Sequence, residues 1–334
     1  MFYVLAAVSV MCIVQSCGGG GGSGGSPATQ ASPSIAPLPI NSPVAFKEPL
    51  VTGSDKVVTA HDSSRNWRSV ASSSDGSRLV AVVQGGYIYT SADSGVSWSQ
   101  RATYGVWIAV ASSADGSRLV AAELAGQIYT STDFGATWTP HDAVRNWTAV
   151  ASSADGSHVV ATEMGGYIYT SVDSGMNWTA RDVARNWMSV ASSADGVRLV
   201  AAEIAMGQIY TSEDAGVTWI ARDAARGWYA VALSSNGNKM VAVDYTGQIY
   251  TSSDFGAVWT ATGFSSSGWI AVAASADGTR FFALSENGSM YTSVDSGMSW
   301  TANPSSIFWT SIAASADGSR LIAVAQGDKI YSFE

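Results

Sequence analysis

Apolar and polar positions alternate along most of the chain in short runs, and the spacing of an amphipathic helix is absent throughout. Residues 147–182 show the pattern. A run from 147 to 152, opened by Trp147 and closed by Val150, Ala151 and Ser152, leads into Ala154-Asp155-Gly156. Asp bonds nearby backbone and Gly accepts a positive φ, so this triplet predicts a tight reversal. Residues 158–163 and 167–171 are two further strand-like runs. Asp173-Ser174-Gly175 is a second tight turn, and residues 177–181 make a fourth run. The stretch predicts four short antiparallel strands.

The pattern recurs. Trp67, Trp107, Trp147, Trp187, Trp228, Trp269 and Trp309 are separated by 40, 40, 40, 41, 41 and 40 residues. A second series is Trp98, Trp138, Trp178, Trp219, Trp259 and Trp300. A four-stranded unit repeated at this period predicts an all-β, seven-bladed β-propeller with four antiparallel strands per blade. Small residues suit the innermost strand, where blades converge. The tryptophans and a recurrent tyrosine (Tyr89, Tyr129, Tyr169, Tyr210, Tyr250, Tyr291, Tyr331) are expected to fill the space between blades. The last copy ends at its third strand. Val57-Val58-Thr59-Ala60-His61-Asp62 aligns with Asn177-Trp178-Thr179-Ala180-Arg181-Asp182, so the N-terminal strand is expected to complete the last blade and close the ring.

Composition sharpens this picture. The two series account for all 13 Trp, which leaves none for an isolated role. Acids outnumber bases by 26 to 17, for a net charge of −9. That balance argues against a nucleic-acid or anionic-membrane surface, which would need Lys and Arg. Two Cys cannot make a disulfide framework. Both fall in the first 46 residues, where no charged residue occurs. Residues 2–14 are apolar but too few to span a bilayer as a helix, and fit the core of a secretion signal. Val14-Gln15-Ser16-Cys17, followed by a Gly/Ser run, resembles a bacterial lipoprotein signal. The resemblance implies cleavage before Cys17 and lipidation of it; plain secretion is the alternative. The domain organisation is then a signal over 1–17, a Gly/Ser/Pro linker over 18–53 and a propeller over 54–334.

Six copies carry Ser-x-Asp-x-Gly-x-x-Trp, from Ser91 to Trp98 in the first and from Ser293 to Trp300 in the last. This motif resembles the Asp-box, or BNR repeat, of sialidase-like propellers. Related repeats occur in xyloglucan-active glycosidases, the sortilin ectodomain and photosystem II assembly factors. Asp93, Asp133, Asp173, Asp214, Asp254 and Asp295 are expected to accept backbone N–H bonds inside the hairpin, a structural role. The resemblance places these hairpins on the side away from any ligand.

The candidate site therefore falls on the opposite side, where the copies differ. The second strand ends in Glu123, Glu163, Glu203 and Asp244 in four consecutive copies, with Tyr245 next. The connections into four blades carry Arg65, Arg145, Arg185 and Arg226. Two readings stay open. The residues form a patch for a ligand, or they pair with each other, within a blade or with the next one. The acids could also act as a glycosidase pair, which needs two carboxylates in different environments. Their surroundings read as near-identical, and the sialidase Arg-Ile-Pro motif is absent. His61, His141 and His158 have no metal-ligand spacing, and no cofactor or metal is implied. The expected function is an exported, lipid-anchored or secreted bacterial envelope protein, monomeric and non-enzymatic, that binds a protein or glycan. A glycoside hydrolase is the alternative.

Overall fold

The computed structural model describes residues 58–266 and 268–334, apart from the side chains of Ala102 and Thr103. The expected export segment with Cys17, the linker, and the start of the expected closing strand lie outside that range. Among the described residues every regular element is a β-strand, and every strand pairing is antiparallel.

The strands differ from expectation in length. Strand Thr139–Ser152 pairs backward through His141↔Ile128 with Leu119–Ser131 and forward through Val150↔Ala161 with Val159–Ser171. The outer strand of one copy thus runs unbroken into the inner strand of the next. Such continuous strands join twelve into one sheet, while two further sheets have four strands each. Two of the three breaks hold glycine, Gly227 before strand Trp228–Leu233 and Gly268 before Trp269–Ala274; the third holds Pro304 before Trp309–Ala314, and Gly105 lies inside the unbroken strand Ser99–Ser112. Glycine weakens extended backbone because it has most freedom to lose.

The first and last described strands pair. Val58, Thr59 and Ala60 pair with Phe333, Ser332 and Tyr331. A relay of backbone bonds links the first turn of each copy to the next. Ser74 donates to Ala114, Ala114 to Ala154, Ala154 to Ala194 and Ala194 to Ser235. Ser235 then donates to Ala276, Ala276 to Ala316, and Ala316 back to Ser74.

Apolar packing runs between copies. Val80, Val82 and Ile88 of the first copy share a buried cluster with Trp107, Val110, Leu119 and Ala121 of the second. Ile322, Val324 and Ile330 of the last copy share one with Trp67, Val70, Leu79 and Tyr89 of the first. All seven tryptophans of the first series are at most 3% exposed. Each meets the tyrosine of its own copy edge to face, with ring centroids 5.0–5.3 Å apart. Burial of a large aromatic contributes about 2–3 kcal/mol, and such ring pairs add roughly 0.5–1.5 kcal/mol. As expected of a converging inner strand, small residues such as Val70, Ala71 and Ser72, with their counterparts, line one cavity of about 290 Å³.

The Asp-box hairpins are built from side chain to backbone. In the second copy Asp133 accepts from the Thr137 amide at 2.9 Å and the Thr137 hydroxyl at 2.6 Å. Ser131 Oγ donates to Asp133 and accepts from the Gly135 amide. Trp138 Nε1 closes the turn on the Gly135 carbonyl at 3.0 Å. Gly135 has φ +80°, and Phe134 before it also lies in the left-handed region at +60°. Two successive left-handed residues turn the chain tightly, and the carboxylate holds the arrangement.

Those bonds favour the charged carboxylate. Bonds from the Thr137 hydroxyl and amide hold Asp133 down at about 2, and the Ser299 hydroxyl and amide do the same for Asp295. In the first turns of their copies Asp75 and Asp115 are likewise held at about 2, by the Ser73 and Ser113 hydroxyls first. A carboxyl whose folded value is depressed stabilises the fold above the unfolded value near 4. That contribution is lost as pH falls through the folded value. The thermal midpoint, followed by circular dichroism, is expected to hold between pH 7 and about 4.5 and to fall steeply from about pH 4 towards 2. Asp133→Asn should lower the neutral-pH midpoint and flatten that acid fall. Deleting residues 54–62 removes the pairing with the C-terminal strand, and should lower the midpoint by about 10 °C or more.

Candidate functional site

The four candidate arginines are held in one way. Arg65, Arg145 and Arg185 lie within long strands where the extended backbone kinks, and Arg226 ends strand Ile220–Arg226. The kink is made by the residue three positions earlier. Asp62, Asp142, Asp182 and Asp223 have φ of 55–60°. Each aspartate then lies 3.1–3.5 Å from the guanidinium that follows it. The guanidinium carbons lie 4.4–4.7 Å from the ring centres of Tyr89, Tyr169, Tyr210 and Tyr250. They also lie 5.7–5.9 Å from Trp67, Trp147, Trp187 and Trp228. Each arginine therefore caps the Trp–Tyr pair of the copy it leads into.

The acids separate into two kinds. Glu163 lies 4.0 Å from Arg145 and Glu203 3.9 Å from Arg185, so these pairs form within a copy rather than with the next. Tyr169 donates to Glu163 at 3.0 Å and Tyr210 to Glu203 at 3.4 Å. Burial first, then the bond to Glu163 and its charge, push the Tyr169 phenol up to about 12. A buried phenol held in its protonated form is not an activated nucleophile. Asp244 departs from the expected likeness of the four acids. It is 2% exposed, and its Oδ1 accepts from Thr246 Oγ1 and the amides of Gly247 and Gln248 at 2.8–3.0 Å. Its shorter side chain serves a turn instead of reaching an arginine. Tyr245 is 39% exposed and lies against Tyr229, with ring centres 6.1 Å apart. Glu123 has no arginine beside it; the connection carries Gly105, and Glu123 accepts from the Val106 amide at 3.2 Å.

Three features were missed in the sequence. The nearer arginine partner is the preceding aspartate, and Asp-x-x-Arg before Trp67, Trp147, Trp187 and Trp228 was its signal. Every copy also carries a base after its first turn: Arg78, Arg118, His158, Arg198, Lys239, Arg280 and Arg320. These reach across to the next copy. Arg118 donates to the Asp155 carbonyl, Arg280 to that of Gly318, and Arg320 to that of Asp75, at 3.2–3.3 Å. A cleft of about 270 Å³ on this Asp-box side holds Arg78, which stacks on Phe134 at 3.8 Å, together with Arg101 and Asp93. Finally, Arg68 is half-buried, desolvation lowers its pKa, and its Nε has no hydrogen-bond partner among the described residues. Its signal was a lone charge at a position that is Ile108, Thr148, Met188, Tyr229, Ile270 and Thr310 elsewhere.

The side opposite the Asp-box hairpins also exposes apolar side chains that differ from copy to copy. They include Met206 (73%), Val144 (68%), Tyr104 (64%) and Phe308 (61%). The Asp-box side exposes apolar residues too, but at a repeated position: Val96, Met176, Val217 and Met298.

Comparison with known proteins gives concordant results. A BNR/Asp-box repeat profile matches residues 129–140, and a BNR-Asp box repeat profile matches residues 249–262. The structure of YCF48 from Cyanidioschyzon merolae is similar, with a TM-score of 0.66 and 16% identity, covering 84% of this chain and 98% of that one. YCF48 bound to D1 peptide aligns with a TM-score of 0.67 and 14% identity over 85% of this chain and 98% of that one. The GH74 enzyme of Niastella koreensis aligns with a TM-score of 0.62 and 19% identity, over 82% of this chain and 43% of the enzyme. The chain thus spans less than half of that enzyme. No curated protein matches the sequence significantly. The chain carries BNR/Asp-box repeats on a propeller-like, all-β fold.

The capped Trp–Tyr pairs predict a graded response. Arg145→Met keeps the apolar stem but loses the ion pairs and the stacking, so it should cost about 1–2 kcal/mol in urea unfolding. Arg145→Lys should recover only part, because an ammonium does not stack as a planar group does.

Proposed function

We propose that this chain is an exported, non-enzymatic binding protein built as a seven-bladed propeller. Its N-terminal strand closes the ring, Cys17 carries a lipid anchor, and residues 18–53 act as a tether. The relay of backbone bonds that returns from Ala316 to Ser74 supports seven blades and closure. The partner is a protein, docked on the side opposite the Asp-box hairpins.

One observation carries the docking side. Its arginines and glutamates are largely engaged with each other, while unlike apolar residues such as Met206, Tyr104 and Tyr245 stand exposed around them. Apolar side chains ringed by satisfied polar groups suit a protein interface. Aliphatic groups such as Met206 and Val144 are poor platforms for sugar rings, which favours protein over glycan. One similar structure, YCF48, is seen with a bound peptide. The hydrolase alternative draws on the likeness to a GH74 enzyme. It requires two carboxylates in unlike environments, whereas Glu163 and Glu203 have matching arginine and tyrosine partners.

Pull-down from membrane extract with the mature chain should yield a partner that binds saturably. Met206→Glu with Tyr245→Ala should weaken that binding by about tenfold, while Met176→Glu with Met298→Glu should leave it unchanged. Turnover of xyloglucan or a sialoside, abolished by Glu163→Gln, would replace this reading with the hydrolase. Mass spectrometry of the mature N-terminus should find lipid on Cys17; an unmodified Cys17 would end the anchor proposal.

A further inference from the structure

Six of the seven recurrent tyrosines are buried, at 4–7% exposure: Tyr89, Tyr169, Tyr210, Tyr250, Tyr291 and Tyr331. Tyr129 is the exception and stays partly exposed. The reason lies in what covers each ring. Arg65, Arg145, Arg185 and Arg226 cover four of them. Phe264 meets Tyr291 edge to face at 5.2 Å. In the second copy the covering position is Gly105, and the aspartate position before it is Ala102. The second, sixth and seventh copies all lack the arginine and its aspartate, but Tyr291 and Tyr331 are buried all the same, and only in the second copy does the tyrosine stay partly exposed.

The rest of the second copy's setting is intact. Trp107 and Tyr129 keep the edge-to-face contact of the other copies, at 5.0 Å. Glu123 occupies the position of Glu163 and Glu203, which lie within 4.0 Å of an arginine. Its carboxylate has no cationic partner among the described residues and accepts from the Val106 amide. The neighbouring copies show what such a seat holds: a guanidinium lying over a tyrosine with a glutamate at its edge.

We propose that Tyr129 and Glu123, above Trp107, form an open guanidinium socket that takes an arginine side chain from a partner polypeptide. This rests on the protein-binding reading above. A guanidinium is planar, stacks on an aromatic face and donates to a carboxylate in fixed geometry, and the chain's own arginines lie over tyrosine rings and donate to aspartates in the same setting. Lysine fits less well, because its ammonium is a compact, strongly hydrated point charge. Val106, whose amide donates to Glu123, is 37% exposed and can cover the apolar stem of an incoming arginine. The net charge of −9 favours the approach of a cationic segment.

The test titrates the full mature chain, labelled at tyrosine rings and backbone amides, with the peptide Gly-Arg-Gly amide and its lysine counterpart. Saturable shifts are expected at Tyr129, Gly105 and Val106, with the lysine peptide weaker. Glu123→Gln should weaken the arginine peptide by about tenfold. Gly105→Arg should abolish binding by supplying the missing guanidinium from within. Gly105 does not have a positive φ; an added Cβ meets the movable Glu123 Oε1 at 2.9 Å and the buried Trp107 ring at 3.0 Å, so circular dichroism must first show Gly105→Arg folded. Absence of shifts at Tyr129 in the wild-type chain would overturn the proposal, as would unchanged affinity in Glu123→Gln or in a folded Gly105→Arg. Should the peptide bind while the pull-down yields no partner, the protein-binding reading fails and the socket stands.

Discussion

The fold depends on one contact made seven times: a buried tryptophan opening each copy, set edge to face on that copy's tyrosine. A four-stranded sheet of this size has apolar groups on both faces and cannot bury them alone. Alternate residues of one strand therefore go to opposite neighbours. Val80 and Val82 pack towards the second copy, while Leu79, Ala81 and Val83 pack with the last. Each copy supplies half of two cores, so an end copy without a neighbour would leave a core open. The packing of Ile322, Val324 and Ile330 against Trp67 meets that constraint.

The same contact shapes the candidate site. A tyrosine buried beneath a sheet edge still has one face towards the connection, and something must cover it. In four copies an arginine does so, which draws its charge out of the solvent and requires carboxylates nearby. The preceding aspartate and, in two copies, a glutamate provide them. The repeated polar residues are thus first a consequence of covering the aromatic core. That pattern is interrupted at Tyr129 and Glu123, at the turn-bound Asp244 and at the lone Arg68.

The hairpins on the other side obey a different economy. Their aspartates are exposed or half-buried and bonded to hydroxyls and amides in the turn, so charge is used locally to hold left-handed backbone. The bases that follow the first turns reach the next copy's carbonyls, adding polar links to the apolar ones. With only 13% charged residues, much of the chain's charge is assigned to such geometric tasks.

The sequence by itself determined the repeat, the all-β class, the two turns of each copy and the structural role of the Asp-box. Those features follow from local chemistry: strand alternation, turn residues and tryptophan spacing act within a few residues. The Asp-box bonds show how far this goes, since every partner of Asp133 lies within four positions of it. Which carboxylate each arginine meets, that Asp244 is buried in a turn, and that Tyr129 alone of the recurrent tyrosines stays partly exposed were settled by packing between elements distant in sequence. Arg145 and Glu163 are equally compatible in sequence with pairing inside a copy or across to the next. The twist and kink of the strand between them, set by the left-handed Asp142, bring one glutamate within reach. Repetition makes each copy alike on paper; packing between copies shows where one of them, at Gly105 and Tyr129, departs from the rest.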